Sequence, residues 1–294
     1  MTGQRSITAY AFLLFPLGIL LVFTLVPTVI GLWLGFFAWD GGTDPTWVGA
    51  KNFTDLAQDA KFGPALRNTL VYVGASVPPT VLIGFLLAVA AQAEWFRGRV
   101  IVRTLFFLPT ILSIVAIGYV WRWLLEPDAG LLNWGLRLVG VANPPDWLND
   151  QAWALPSIIA VSVWRGVGFC MVIYLASLAT INRSLFEAAE MDGATPAQVL
   201  RHITWPQVAP TTAFLLITGV IGALQVFDIV FVMTGQAEGD ATNVLTLYIY
   251  RLFTYGQLGY AAAVGVVIFA ITLLATAVQL LWAGRDRSTR GAAA

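Results

Sequence analysis

Long apolar runs alternate with short polar connections along this sequence. Six of the runs are long enough to cross a bilayer as helices, because about 20 apolar residues span its hydrocarbon core. The predicted spans cover residues 9–39, 68–93, 104–125, 155–181, 208–234 and 258–284. The pattern therefore predicts an all-α integral membrane protein with a single transmembrane domain over residues 1–294.

An alternative interpretation of the first apolar run is a cleaved signal peptide. The run is longer than the apolar region of about 7–15 residues that such peptides carry, and it lacks a small-x-small cleavage site. We therefore expect a retained helix. Farther along the chain, the apolar spacing of Leu131–Val139 predicts a short helix lying in the membrane interface.

The polar connection from Ser184 to Pro206, here called the elbow loop, contains signals for two short helices. Ser184 and Glu187 have the spacing of a capping box, which predicts a helix start. Gly193 predicts the end of that helix, because glycine adopts the left-handed conformation at a helix C-terminus without steric cost.

A second start signal follows at once. Thr195, Pro196 and Gln198 supply an N-cap, a first-turn proline and a second capping box. Pro206 is expected to end the unit. Two short helices meeting at Gly193 predict a compact docking surface, and the alternative is a solvated loop between two spans.

Composition supports a membrane protein and excludes several other classes. Hydrophobic residues make up 58% of the chain and charged residues 11%, with a net charge of zero, so no basic face indicates nucleic acid. Cys170 is the only cysteine and His202 the only histidine. A disulfide within the chain is therefore excluded, and no His/Cys metal site is expected.

The positive residues predict the orientation, because cytoplasmic loops of membrane proteins carry the excess of Lys and Arg. If both termini are cytoplasmic, the inner side carries Arg5, Arg97, Arg99, Arg103, Arg183, Arg201, Arg285, Arg287 and Arg290. The outer side then carries Lys51, Lys61, Arg67, Arg137 and Arg251. Both termini and the elbow loop are therefore predicted to face the cytoplasm.

A residue pattern in the elbow loop resembles a known family. The pattern is Glu187-Ala188-Ala189, then Gly193 and, after nine further residues, Ile203 and Pro206. It resembles the EAA motif of bacterial ABC-transporter permeases, with Trp205 where the family usually has Leu. Asn68-Thr69, Phe107-Leu108-Pro109 and Phe227-Asp228 resemble the carbohydrate-importer branch, the maltose and glycerol-phosphate type.

The resemblance implies a partner for each part of the transport cycle. Such permeases form half of a heterodimeric pore with a second permease, are driven by two ATPase subunits and receive solute from an extracytoplasmic binding protein. The substrate would be a carbohydrate, and the location a bacterial inner membrane. The coupling residues that face the ATPase would be Glu187, Ala188, Ala189, Asp192, Gly193, Ile203 and Pro206.

The sequence contains no P-loop through which the chain could hydrolyse ATP. Neither of its lysines, Lys51 and Lys61, stands in a P-loop sequence, so ATP and Mg²⁺ are expected in the partner ATPase and this chain is not expected to be an enzyme. An ion-coupled secondary transporter is the alternative from another class. No inverted repeat or broken-helix ion site is recognisable in the sequence to favour it.

Polar residues inside the predicted spans are candidates for the substrate pathway. A charge inside a bilayer costs on the order of 2.5–3.5 kcal/mol on insertion scales, so it is expected to face a cavity or a partner. We predict that the pathway is lined by Trp164, Arg165, Gln225, Phe227 and Asp228. Alternatively, Arg165 and Asp228 form a structural ion pair or contact the second permease, and the two aromatic residues serve in packing or face lipid.

Overall fold

The computed structural model describes residues 12–92, 98–234 and 240–291, with side chains through Trp282. Arg5 and Arg97, and the side chains of Arg285, Arg287 and Arg290, lie outside this part. The chain forms two compact units, one up to Gly63 with Leu245–Ala270 and one of Pro64–Val244 with the residues from Ile271. The single domain predicted over residues 1–294 stays a prediction.

Helices make up nearly all of the regular structure in the described residues, which confirms the all-α class. In chain order they are α1 (Phe12–Leu34), α2 (Lys51–Gln58), α3 (Phe62–Gln92), α4 (Arg99–Ile111), α5 (Ile114–Leu124), α6 (Leu131–Leu138), α7 (Ala154–Leu178), α8 (Arg183–Met191), α9 (Pro196–Leu224), α10 (Asp228–Thr234), α11 (Leu245–Thr254) and α12 (Leu258–Gly291). Two short antiparallel strands, β1 (Phe37–Ala38) and β2 (Thr46–Trp47), form one hairpin.

Within the described residues, five helices are long and apolar enough to cross a membrane, and a sixth span results if α4 and α5 are counted as one. The five are α1, α3, α7, α9 and α12. The predicted second, fourth and sixth spans correspond to α3, α7 and α12 with shifted ends. The short helix predicted at Leu131–Val139 is found as α6.

The first span ends before the predicted residue 39, because α1 ends at Leu34 and Phe37–Ala38 forms β1 instead. Asn52 of α2 explains where the helix stops. Its buried side-chain amide donates hydrogen bonds to the carbonyl oxygens of Gly35 and Phe37, both at 2.9 Å. The last carbonyls of a helix have no partner within the helix, so Asn52 satisfies groups that the helix end leaves open.

A carboxylate and two tyrosines join the segment after α2 to α11 and α12 in the same unit. The Asp59 carboxylate accepts hydrogen bonds from the Tyr248 hydroxyl, from the Tyr260 hydroxyl at 2.9 Å and from the Lys61 amide at 2.7 Å. Partial burial raises the pKa of Asp59, but these hydrogen bonds outweigh it and hold the pKa below its ordinary value.

Asp59 should therefore stabilise the protein in a pH-dependent way. A lowered pKa contributes stability above the ordinary Asp pKa of about 4, and the contribution is lost as pH falls through the lower, folded-state value. We expect the melting temperature of Asp59→Asn to lie below that of the unmodified protein at pH 7 and the difference to shrink below pH 4. Thermal unfolding in detergent measures both, and a difference that does not change with pH would contradict the assignment.

In the second unit, α7 packs against α4, α9 and α10. Its contact with α4 depends on Gly168, where an added Cβ would lie 1.9 Å from the carbonyl oxygen of Phe106. Small residues let membrane helices approach each other this closely. On the face toward α9, the Tyr174 hydroxyl donates a hydrogen bond to Thr212 Oγ1 at 2.8 Å.

The third span, predicted as one helix over residues 104–125, is broken. Helix α4 begins earlier, at Arg99, and α5 leaves it at an angle of 104°. Leu112 and Ser113 between them have extended ψ angles of 150° and 130°. Pro109 weakens the last turn of α4, because proline removes a helical hydrogen bond and clashes with the preceding turn.

The fifth span also differs from the predicted 208–234. Helix α9 starts at Pro196 within the elbow loop and ends at Leu224, and after a break α10 begins at Asp228. The prediction that Pro206 ends the elbow loop is therefore wrong. A π-helical turn, Leu200–Thr204, precedes Pro206 and carries the helix on into the apolar segment, since a wider turn accommodates the hydrogen bond that proline cannot make.

The connection between α5 and α7 is organised around Asn133 of α6, which is 1% exposed. Its side-chain amide donates to the carbonyl oxygens of Pro127 and Pro145 at 3.0 and 3.2 Å. Its side-chain oxygen accepts from the Trp147 indole at 2.6 Å. One buried residue thus holds together the start, middle and end of this connection.

Replacing Asn133 with Ala should loosen the connection, because it removes three partly buried hydrogen bonds and takes away the side-chain partner of the Pro145 carbonyl and the Trp147 indole. An unpaired buried group costs about 1–3 kcal/mol, so we expect local opening to rise about 10-fold or more. Chymotrypsin cleavage within residues 127–153 of the protein in nanodiscs measures this. Asn143→Ala, at an exposed position, is the matched control, and equal cleavage rates in both variants would refute the role of Asn133.

Candidate functional site

A cavity of about 380 Å³ lies inside the second unit, between α3, α7, α9 and the two helix breaks. Its polar lining residues are Tyr72, Ser76, Thr80, Ser162, Arg165, Gln225 and Asp228. Ile114, the first residue of α5, and Gln225–Ile229 around the start of α10 also line it. Irregular backbone within a membrane protein is tolerated where it lines a cavity, which accounts for the position of the break between α9 and α10.

Four of the five predicted pathway residues lie at this cavity: Arg165, Gln225, Phe227 and Asp228. Arg165 projects from the middle of α7, and its buried Nε has no hydrogen-bond partner. Gln225 directly follows α9 and Asp228 begins α10, and both are exposed and line the cavity. The cavity wall thus offers a positive charge on Arg165, which only donates hydrogen bonds, and a negative charge on Asp228, which only accepts them.

The structure does not show the structural ion pair considered as an alternative for Arg165 and Asp228. In the described part of the chain, ion pairs join Lys51 to Asp55 and Arg183 to Glu187, and none joins Arg165 to Asp228. Both charges therefore remain available to a third group in this conformation.

The two aromatic candidates differ in position. Phe227 lines the cavity and stacks on Phe231, with ring centroids 5.1 Å apart and planes at 25°. Trp164 is not among the lining residues. It packs edge-to-face on Trp121 at 5.4 Å, which agrees with the packing interpretation of this residue.

Sequence reasoning missed a row of hydroxyl groups on α3. Tyr72, Ser76 and Thr80 recur at every fourth position, which places them on one face of a helix. The Ser76 and Thr80 hydroxyls donate to carbonyl oxygens one turn earlier, at 2.6 and 2.7 Å. Their oxygens can still accept a hydrogen bond, so the row adds polar contacts to the cavity wall.

The elbow loop has the predicted bend. Gly193 has φ +70°, the left-handed conformation, and the Ala194 amide donates to the Ala189 carbonyl at 2.9 Å. The second capping box is confirmed, with the Gln198 amide donating to Thr195 Oγ1 at 3.4 Å and the Thr195 amide to Gln198 Oε1 at 2.7 Å.

The prediction of a first capping box formed by Ser184 and Glu187 is wrong. Helix α8 begins at Arg183, and its N-cap is Asn182, whose side-chain oxygen accepts from the Ser184 amide at 3.0 Å. Asparagine is as good an N-cap as serine, and it stands two residues earlier. Glu187 instead forms an exposed ion pair with Arg183 at 3.3 Å, of a kind that contributes little stability.

The predicted loop residues do not all face outward. Ala188 and Asp192 are exposed, whereas Ala189 is 8% exposed and packs inside the bend. Ala189 is therefore unavailable as a contact surface, contrary to the expectation for both alanines. Gly193, Asp192 and Ile203 line a cleft of about 250 Å³ between α8 and α9, and Pro206 lies in the first turn after the π-helical segment.

Residues 57–285 match the family described as binding-protein-dependent transport system inner membrane component. The chain is 33% identical over 284 residues to the probable ABC transporter permease protein YurN of Bacillus subtilis (strain 168), covering 95% of this chain and 97% of that protein. It is 32% identical to the lactose transport system permease protein LacF of Rhizobium radiobacter, covering 96% and 95%.

Among solved structures, the chain is similar to one in the bacterial alginate ABC transporter in complex with alginate pentasaccharide-bound periplasmic protein. The TM-score is 0.81 at 29% identity, covering 95% of this chain and 93% of that one. The agreement extends over almost the whole length in sequence and in fold. The chain therefore belongs to the family of binding-protein-dependent transport system inner membrane components.

Proposed function

We propose that this chain is the transmembrane permease subunit of an ATP-driven importer and forms half of the translocation pathway for a carbohydrate. The observation that carries the proposal is the polar cavity between the broken helices of a chain in this family. Arg165 donates hydrogen bonds and Asp228 accepts them, so together they can hold neighbouring hydroxyl groups of a sugar. The face of Phe227 offers an apolar surface for the ring.

The substrate class and the external partner are supported by the relatives. One is named for lactose transport, and a similar solved structure contains a periplasmic protein carrying an alginate pentasaccharide. We extend a carbohydrate substrate and an extracytoplasmic binding protein to this chain. The excess of arginines on the side of the elbow loop supports cytoplasmic termini.

The proposal includes two further kinds of partner, a second permease and the ATPase subunits. A second permease subunit would complete the cavity, and two ATPase subunits would bind ATP and Mg²⁺. The elbow loop would contact the ATPase, with Glu187, Ala188, Asp192, Gly193, Ile203 and Pro206 forming or shaping the contact. Because α9 runs from that loop to the cavity, movement of the loop reaches the substrate site through one helix.

Reconstitution of the assembled transporter tests the proposal. Proteoliposomes containing both permeases and the ATPase, supplied with the binding protein and a panel of labelled saccharides, should accumulate a saccharide only with ATP on the elbow-loop side. An ATPase variant unable to hydrolyse ATP is the control. Uptake that persists with this variant and stops when proton and sodium gradients are collapsed would establish the ion-coupled alternative instead.

A further inference from the structure

Met191, the last residue of α8, is the least buried large apolar residue of the elbow loop. Its exposed fraction is 88%, compared with 0% for Met171 and 1% for Met233 in the other helices. The loop itself is ordered by its caps and by the Gly193 bend, so this exposure comes from a defined backbone. A long thioether side chain therefore lies exposed at the end of α8, beside the Gly193 bend.

The charged residues near Met191 indicate what kind of partner surface could cover it. Glu187, Glu190 and Asp192 lie within four residues of it and are all exposed. Arg183 is already paired with Glu187. The tip is thus an apolar side chain inside an acidic rim, which an anionic lipid surface would repel.

Neighbouring residues leave space for a partner beside Met191. Ala188, one helical turn earlier, is exposed and small. At Gly193, an added Cβ would meet nothing within 4 Å. A protein surface can therefore approach the end of α8 closely and contact the exposed Met191 side chain.

We propose that Met191 is the anchor residue of the elbow loop, inserting into an apolar pocket with a basic rim on the ATPase subunit. The assignment rests on the proposed function, which supplies the ATPase, and it names the side chain that holds the contact. Methionine suits this role because its unbranched chain adapts to a pocket. A few buried anchors of this kind carry most of the affinity of an interface.

The anchor is tested by titration. The transporter is purified in nanodiscs, its ATPase subunit is removed, and the same subunit is titrated back onto the two permeases. Burial of a methionine side chain corresponds to about 10- to 100-fold in affinity, so Met191→Ala should weaken ATPase binding by about that factor. Met191→Leu should retain binding within a few-fold.

The matched control removes an apolar side chain of comparable exposure from another face. Leu138 of α6 is 67% exposed, and Leu138→Ala should leave ATPase binding unchanged. Raising the salt concentration should weaken binding further in every variant, because the acidic rim contributes through charge.

Oxidation of Met191 gives a second test, which does not require a substituted protein to fold. The thioether sulfur takes one oxygen atom from hydrogen peroxide, which leaves as water, and the side chain becomes a polar sulfoxide. Mild peroxide treatment of the unmodified permeases should lower ATPase affinity about 10-fold or more, and methionine sulfoxide reductase should restore it. Met191→Leu should be insensitive to the same treatment.

The outcomes separate the anchor from the function on which it rests. If the ATPase binds the unmodified permeases and Met191→Ala binds equally well, the anchor is wrong and the importer stands. If the ATPase fails to bind the unmodified permeases at all, the proposed function itself fails. Loss of the second permease from the Met191→Ala complex, with ATPase affinity unchanged, would also overturn the assignment.

Discussion

Replacing Gly193 with Val should abolish most ATP-driven uptake while the protein still inserts into the membrane. Gly193 has φ +70°, and a β-branched residue held in that conformation costs on the order of 1–3 kcal/mol. The bend between α8 and α9 would change its angle to relieve the strain. We expect uptake by the reconstituted transporter to fall about 10-fold or more, with ATP hydrolysis no longer tied to it.

The structure supplies a control for this substitution. An added Cβ at Gly193 meets no atom within 4 Å, so backbone conformation and not crowding decides the outcome. Gly193→Asn, which tolerates the left-handed conformation, should retain most of the uptake. Equal losses in the Val and Asn variants would show that the bend angle is not what matters.

Replacing Asp228 with Ala should reduce uptake about 10-fold or more, because a hydrogen bond to a charged group contributes about 1.5–3 kcal/mol. Asp228 lines the cavity and forms no ion pair with Arg165 in the described part of the chain. Its removal should therefore leave assembly with the other subunits intact. Initial uptake rates and size-exclusion profiles of the purified transporter measure the two effects separately.

Asp150→Ala, in the exposed loop before α7, is the matched control for Asp228→Ala and should change neither quantity. Arg165→Gln should reduce uptake by a similar factor, since it removes the opposite charge from the same cavity. If Asp228→Ala lowers assembly and uptake in parallel, Asp228 serves the contact between subunits and not the substrate.

Features set by local sequence were predictable. Long apolar runs gave α3, α7 and α12, and the amphipathic spacing of Leu131–Val139 gave α6. The Thr195 and Gln198 capping box formed as predicted, because its hydrogen bonds involve only neighbouring residues.

Features that depend on neighbouring helices were not predictable. Nothing in the apolar run from Thr104 to Leu125 specifies a bend of 104°, since the bend depends on how α4 packs against α7 and α5 against α10. The same holds for the end of α9 before Asp228. The choice of Asn182 over Ser184 as N-cap is a competition between two suitable residues, which a single sequence does not resolve.

Within the candidate site, unusual residues were easier to find than ordinary ones. Arg165 and Asp228 stood out because a charge in a membrane span is costly. The hydroxyls of Ser76 and Thr80 carry no such penalty, because serine and threonine can bond to the preceding turn of their own helix. The Tyr72 hydroxyl donates to Ser162 of α7 instead. Only the packing of α3 against the other helices brings this row to the cavity.

Because α9 is continuous, a small change in its tilt at the elbow loop would produce a larger displacement at its cavity end. The helix comprises 29 residues, which corresponds to about 40 Å, so a tilt of about 5° at one end displaces the other by about 3–4 Å. That displacement is comparable to the width of a water molecule or a hydroxyl group. The compliance of the π-helical turn, Leu200–Thr204, therefore sets how much of an angular movement at the elbow arrives at Gln225.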